Sequence, residues 1–347
     1  MIEPPDAEPA LDERKWHILR AIVSEHVTTG EPVGSRHVVE AASLDVSAAT
    51  VRNDMAALEE MGYIHQPHTS AGRVPTDRGY RSFVDHVDAG IVDEAKREAI
   101  AASLEGSGDT EDVLLRATHV LSQLTHLVSL VIAPTVASSR LKLLELVSLA
   151  PHAVLLIAVT DTGRVEKRLI ELAKPVTEAD VERAGQVLNE AVRGERVTTL
   201  ATVVERVATE APTELRALLH AVSDASAGLE EPRTDHVFVG GAASLADREG
   251  LTRQDLSRVL ELLEERVTLA RLLAESAQVE QPIVRIGEEH DVEGLQTTTL
   301  VAQGYRVVSA GSLGVLGPTR MDYTGVLATV KLVADELQAT LQHLSEG

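Results

Sequence analysis

Apolar residues in the N-terminal quarter of the chain recur with a helical period, and the pattern breaks at residues that stop helices. Trp16, Leu19, Ile22 and Val23 share one face of a helix predicted over "LDERKWHILRAIVSEHVTTG", closed by Gly30. A short helix follows, with Ser35 as its expected cap. Ser47 opens a third: its hydroxyl can accept the free amides of the first turn, and Val51, Met55 and Leu58 then fall at i, i+4 and i+7 on one stripe. Gly62 ends it. Two short β-prone pieces surround a Ser-Ala-Gly turn in "YIHQPHTSAGRVPT", and Thr76 caps a fourth helix. Helix, helix, tight turn, helix, hairpin is the order of a winged helix-turn-helix.

Helical spacing continues through "EAKREAIAASL" and "TEDVLLRATHVLSQLTHL", parted by Gly-Ser-Gly at 106–108. From Leu141 the period drops to two, with "LKLLELVSLA", "AVLLIAVT", the turn "DTG" and "RVEKRLIEL" predicting an antiparallel meander. Ala- and Glu-rich helical segments occupy about 177–229 and 253–277, strand-like runs return at "PIVRIG", "TTTLVAQGYRVVSAG" and "LGVLGPT", and an amphipathic helix runs from Met321 to Leu344. Strands, helices, then strands again predict one α+β domain interrupted by a helical insertion.

Composition changes this picture in two ways. Cysteine is absent, and neither an apolar leader nor an apolar run near 18 residues is present, so a cytoplasmic location is expected. The first ten residues, rich in Pro and acids, are expected to be disordered. The second change is charge: 54 Asp and Glu face 32 Lys and Arg, only six of them Lys, for a net of -22. That balance is the habit of proteins from a salt-rich cytoplasm, where self-repulsion is screened. From Leu11 to Gly90 eight cations face twelve acids, so any DNA-binding surface here must concentrate its cations on one face.

The second helix of a helix-turn-helix enters the major groove, and its first turns meet base edges. On the Ser47 helix those turns present Ser47, Thr50, Arg52 and Asn53 opposite the apolar stripe. Arginine can donate twice to guanine and asparagine pairs with adenine, so base contact is assigned to Thr50, Arg52 and Asn53. Phosphate contact is assigned to Ser35, Arg36, His68, Arg73 and Arg78, in the short helix, the hairpin and the following helix. His65 and His68 lack a third metal ligand nearby, and Gly311, Gly314 and Gly317 match no phosphate loop, reading instead as tight strand turns. Arg285, Glu288, Glu289 and His290 read as a solvated loop. No catalytic signature carries weight, so neither enzyme activity nor a cofactor is expected.

"VGSRHVVE", "SAATVRNDMAALEEMGYIHQPHTSAGRVPTDRGYRSFVD" and "GSLGVLGPTRMDYTGVLATVKLVADEL" together resemble the heat-inducible transcription repressor (HrcA) family over residues 11–344. The resemblance implies a winged helix at 1–90, a helical connector at 91–128, a GAF-like α+β domain at 129–195 and 236–347, and an inserted dimerisation segment at 196–235. It further implies a homodimer on an inverted-repeat operator of double-stranded DNA upstream of chaperone genes, release on heat stress, and the chaperonin as modulator. A second reading keeps the winged helix and makes the GAF-like domain a sensor of a small metabolite.

Overall fold

The computed structural model describes residues 11–43, 45–69, 71–87, 94–106, 110–134, 139–161, 165–227, 229, 237–245, 252–279, 281–307 and 310–346. The expected disorder of the first ten residues, and residues 107 and 108 of the Gly-Ser-Gly break, lie outside them. Among the described residues no helix is long and apolar enough to cross a membrane.

The N-terminal unit comprises α1 (Glu13–Thr29), α2 (Ser35–Ala41), α3 (Ala48–Glu60), the hairpin β1 (Ile64–His65) and β2 (Val74–Pro75), and α4 (Asp77–Val84). Asp12 caps α1 by accepting the Lys15 amide at 2.9 Å. Gly30 ends α1 with φ +75°, a conformation that suits glycine. The expected face is buried at Leu19, Ile22 and Val23, joined by Ile18, whereas Trp16 is half-buried against the Phe83 and His86 rings. Thr76 holds the hairpin and α4 together, donating to the Gly62 carbonyl at 2.6 Å and accepting the Gly79 amide at 3.2 Å.

After α5 (Glu94–Leu104) and α6 (Thr110–Thr125), β3 (Val128–Ile132) enters a sheet that the chain then leaves. The expected meander, β4 (Leu141–Ala150), β5 (Ala153–Thr160) and β6 (Val165–Glu171), forms a three-stranded sheet separate from that of β3. It shares an apolar core with α7 (Glu178–Val192), α8 (Leu200–Glu210) and α9 (Thr213–Ser226), built on residues such as Leu144, Leu156, Leu188, Leu200 and Leu219. The sequence reading put these strands in the interrupted domain and drew the insertion at 196–235. A common core instead makes the compact unit between β3 and the next strand run from about 139 to 229.

The chain returns through β7 (Val237–Gly240), α10 (Arg253–Glu264), α11 (Arg266–Ala274), β8 (Ile283–Ile286), β9 (Thr298–Arg306), β10 (Ala310–Pro318) and α12 (Tyr323–Glu346). A five-stranded antiparallel sheet of order β7-β3-β10-β9-β8 results. Strand parity divides its side chains: Val131, Val301, Leu313 and Val315 meet α6 and α12, while Leu130, Leu300 and Leu316 meet α10 and α11. The glycines read as turns lie inside β10. A Cβ on Gly314 would stand 2.6 Å from the Val301 carbonyl oxygen, so glycine here allows neighbouring backbone to approach.

One apolar cluster runs without interruption from α1 and α4 through Tyr323 into α12 and the sheet. The Tyr80 and Tyr323 rings lie 5.5 Å apart across this junction. Arg81 on α4 donates through Nε to Glu289 Oε1 at 2.8 Å and through Nη2 to the Val284 carbonyl at 2.5 Å, and Asp77 accepts the Glu288 amide at 3.3 Å. The segment read as a solvated loop is therefore a socket for α4. Burial pushes the Glu289 carboxyl up, but the Arg81 guanidinium and the Ile286 amide outweigh it and hold it below the usual range. A cleft of about 620 Å³ opens beside the socket, lined by Val23, Val27, Phe83, Arg320 and Tyr323.

His290, at the base of the socket, is buried. Burial pushes its imidazole, and that of His26, below the ordinary value. Between the folded value and that of a free imidazole, about 6.5, the unfolded chain binds more protons than the folded one. Stability should therefore be intact above about pH 6.5 and fall as pH drops through that window. Melting curves from about pH 7.5 to 5.5 should show this loss, and His290→Gln should flatten it. An unchanged slope in the variant would remove His290 from the account.

Candidate nucleic-acid interface

The interface is built on the exposed first turns of α3. Ser47 caps the helix by accepting the Thr50 amide at 3.1 Å, and its hydroxyl lies 3.0 Å from that of Thr50. Val51, Asp54, Met55 and Leu58 are buried beneath, which turns Arg52 and Asn53 outward. Asp54 occupies the buried face because Arg14 of α1 meets it with two hydrogen bonds, Nε to Oδ2 at 2.8 Å and Nη2 to Oδ1 at 3.1 Å. This pair clamps α3 on α1.

The hairpin is held on α3 by a second acid. Glu59 accepts from Arg73 Nε at 3.0 Å and Nη2 at 2.9 Å, and its other oxygen accepts the Gln66 amide at 2.9 Å. The Gln66 side chain then donates to the Ala71 and Thr69 carbonyls at 2.8 and 3.1 Å, shaping the tip. Val33 and Arg73 exchange backbone hydrogen bonds of 2.9 Å, tying the hairpin to the start of α2. A Cβ on Gly72 would stand 2.4 Å from the Val33 carbonyl oxygen, so only glycine fits beneath this bridge.

These contacts sort the assigned residues. Arg36, Arg52, Asn53 and His68 are exposed, and their side chains make no hydrogen bond or ion pair among the described residues. Ser47 and Thr50 are at the same helix start, with hydroxyls engaged in the cap. Three of the residues assigned to phosphate are buried or have partners within the fold. Ser35 is buried in the first turn of α2, whose cap is Gly34. Arg73 is committed to Glu59, with its side chain 19% exposed. Arg78 donates to the Met61 carbonyl at 2.9 Å and lies 4.7 Å over the Tyr63 ring, at the far end of α3 from the reading turns. The sequence reading missed Arg14, Asp54, Glu59 and Gln66. Asp54 carried a signal, since it sits three residues after Val51 on the apolar stripe.

Residues 35–76 match the family model described as a DeoR-like helix-turn-helix domain, and residues 111–327 match that of the HrcA protein C terminal domain. The heat-inducible transcription repressor HrcA of Rhodococcus jostii (strain RHA1) is 44% identical over 333 residues, covering 93% of this chain and 96% of the relative. That of Acidothermus cellulolyticus (strain ATCC 43068 / DSM 8971 / 11B) is 46% identical over 331 residues, covering 93% and 97%. A crystal structure at 2.2 Å resolution, described as that of a hypothetical protein, superimposes with a TM-score of 0.60 at 25% identity, over 96% of this chain and 98% of the other.

If Glu59 and Arg73 form the brace, each single replacement by alanine should lower stability by about 0.5–1 kcal/mol, and the double replacement should cost less than the sum. Urea melts of the three variants give the coupling. Additive losses would show that the pair carries no bracing energy.

Proposed function

The chain belongs to the HrcA family of heat-inducible transcription repressors, and from that premise we propose that it represses chaperone and chaperonin genes as a homodimer on an inverted-repeat operator and is released on heat stress. Its relatives are transcription repressors, a class without catalysis. The observation that carries the DNA reading is the free state of Arg36, Arg52, Asn53 and His68 on one rigid helix-turn-helix and hairpin. Base edges fall to Arg52 and Asn53 with Thr50 beside them, and phosphates to Arg36 and His68. We read the chaperonin as its modulator, a reading that family membership supports. We read the five-stranded domain as GAF-like, a reading supported by an antiparallel sheet with helices on both faces.

The homodimer reading is supported by the outer face of the three-stranded sheet. On β5, Val154, Leu156 and Ala158 point into the helices, so Leu155, Ile157 and Val159 point away. Cross-strand register extends them into two apolar rows, Val147–Leu155–Leu169 and Leu143–Val159–Val165. Leu169 is 58% exposed and Leu149, near the end of β4, 57%. An apolar face of this kind marks an association site. The row between them reads Glu145–Ile157–Lys167, acid on one edge and base on the other. A twofold axis along β5 would lay each acid over the partner's base, which is self-complementary.

Arg52→Ala should weaken operator binding by about 1–3 kcal/mol and leave the melting curve unchanged. Gel shifts with DNA from upstream of the host's chaperone operons, with and without chaperonin, test this; undiminished affinity would remove Arg52 from the base contacts. Leu155→Asp with Leu169→Asp should give a folded monomer in sedimentation and lose most operator affinity, because each half-site then binds alone. A variant still dimeric at micromolar concentration would place the interface elsewhere.

A further inference from the structure

On the sheet face away from α12, helix α11 and the turn after it lean over the end of β3 and the start of β10. They border a half-open pocket of about 390 Å³. Small-ligand pockets span about 300–1,000 Å³. The walls are apolar, from Ile132, Val267, Ala270, Leu273 and Ala277. Val267 is 68% exposed, more than any other large apolar side chain among the described residues, although it faces a cavity that could cover it. Arg271, one helical turn further along α11, also lines the cavity, is exposed, and makes no hydrogen bond or ion pair among the described residues. The buried Ser312 hydroxyl is already taken, lying 2.5 Å from that of Ser276. The site thus offers an apolar chamber with a single open cation.

We propose that this cavity binds a small amphipathic monocarboxylate, its hydrocarbon part beneath α11 against Val267 and Leu273 and its carboxylate on Arg271. A neutral molecule would leave the guanidinium unused, and a cationic one would be repelled by it. A carboxylate accepts two of its parallel N–H donors, the geometry for which arginine is suited. The inference stands apart from the DNA reading, since no residue of α3 or the hairpin takes part, and either can fail alone.

The test uses the full-length protein with sodium octanoate, octan-1-ol and octylamine as probes, by calorimetry and thermal melting. A ligand that binds only the folded state raises the melting temperature. Octanoate should do so and should bind about tenfold more tightly than the alcohol, the worth of one charge-assisted pair. Arg271→Gln should erase that preference. Ala274→Trp, which fills the chamber from an exposed helix position, should abolish octanoate binding while the unliganded melting temperature and sedimentation stay as in the wild type. No octanoate binding to the folded wild type, equal affinity for the alcohol or the amine, or an unaltered preference in Arg271→Gln would each overturn the proposal.

Discussion

Positive charge is scarce in this chain, and the allocation of each arginine decides what the DNA-binding unit can do. Eight cations face twelve acids between residues 11 and 90. Arg14 is held by Asp54, Lys15 by Asp12, Arg73 by Glu59, Arg78 by the Met61 carbonyl and Arg81 by Glu289. Arg20, Arg36 and Arg52 are left without partners among the described residues. A surface with so few open cations gains little from counterion release, which scales with the number of phosphates neutralised. On the proposed assignment, recognition leans on base edges, where one well-placed arginine and one asparagine discriminate strongly. The acidic remainder of the chain and a DNA-reading helix are thereby compatible: Arg14 and Arg73 pair with Asp54 and Glu59, two of the acids on that helix.

The two sheets solve the problem of two-faced strands differently. In the five-stranded sheet both faces are covered within the chain, by α6 and α12 on one side and α10 and α11 on the other. Among the described residues the helices cover only one face of the three-stranded sheet, yet β5 is apolar at nearly every position. Alternation with a polar outer face would have been enough for a sheet ending in water. The second apolar face is the physical basis for the proposed dimer, and it places that interface in a unit whose core is separate from that of the winged helix.

Local signals made the N-terminal unit legible: period, caps at Ser47 and Thr76, and stops at Gly30 and Gly62 all act within a few residues. Sheet membership was not legible, because an alternating strand announces two faces without naming its neighbours. β4, β5 and β6 look as ready to join β3 as to pair among themselves. Similarly, the spacing that put Ser35 at a helix start could not tell the cap from the first buried position, which Gly34 and Ser35 occupy respectively. Arg73 looked like a phosphate contact because only the fold brings Glu59 to it. Arg81 and Glu289 lie 208 residues apart, and no local pattern connects them. Charged residues were thus the hardest to assign, since their roles depend on partners distant in sequence.

Reading two half-sites at once requires the two α3 helices to stand a fixed distance apart, about 34–36 Å or a multiple of it. In the proposed dimer that distance depends on how α4 sits against the β8 socket in each subunit. That joint consists of the Tyr80–Tyr323 contact, a shared strip of apolar cluster and the Arg81–Glu289 pair, whose side chains are 28% and 36% exposed. An ion pair so open to water contributes no more than about 1 kcal/mol. Within this joint the ion pair is the part open to water, whereas the aromatic contact lies inside the shared buried cluster. In the proposed release on heat, the recognition helices need not unfold. On that proposal, loss of the socket alone would free each α3 from its partner's register, and an operator bound through two half-sites would then be held through one.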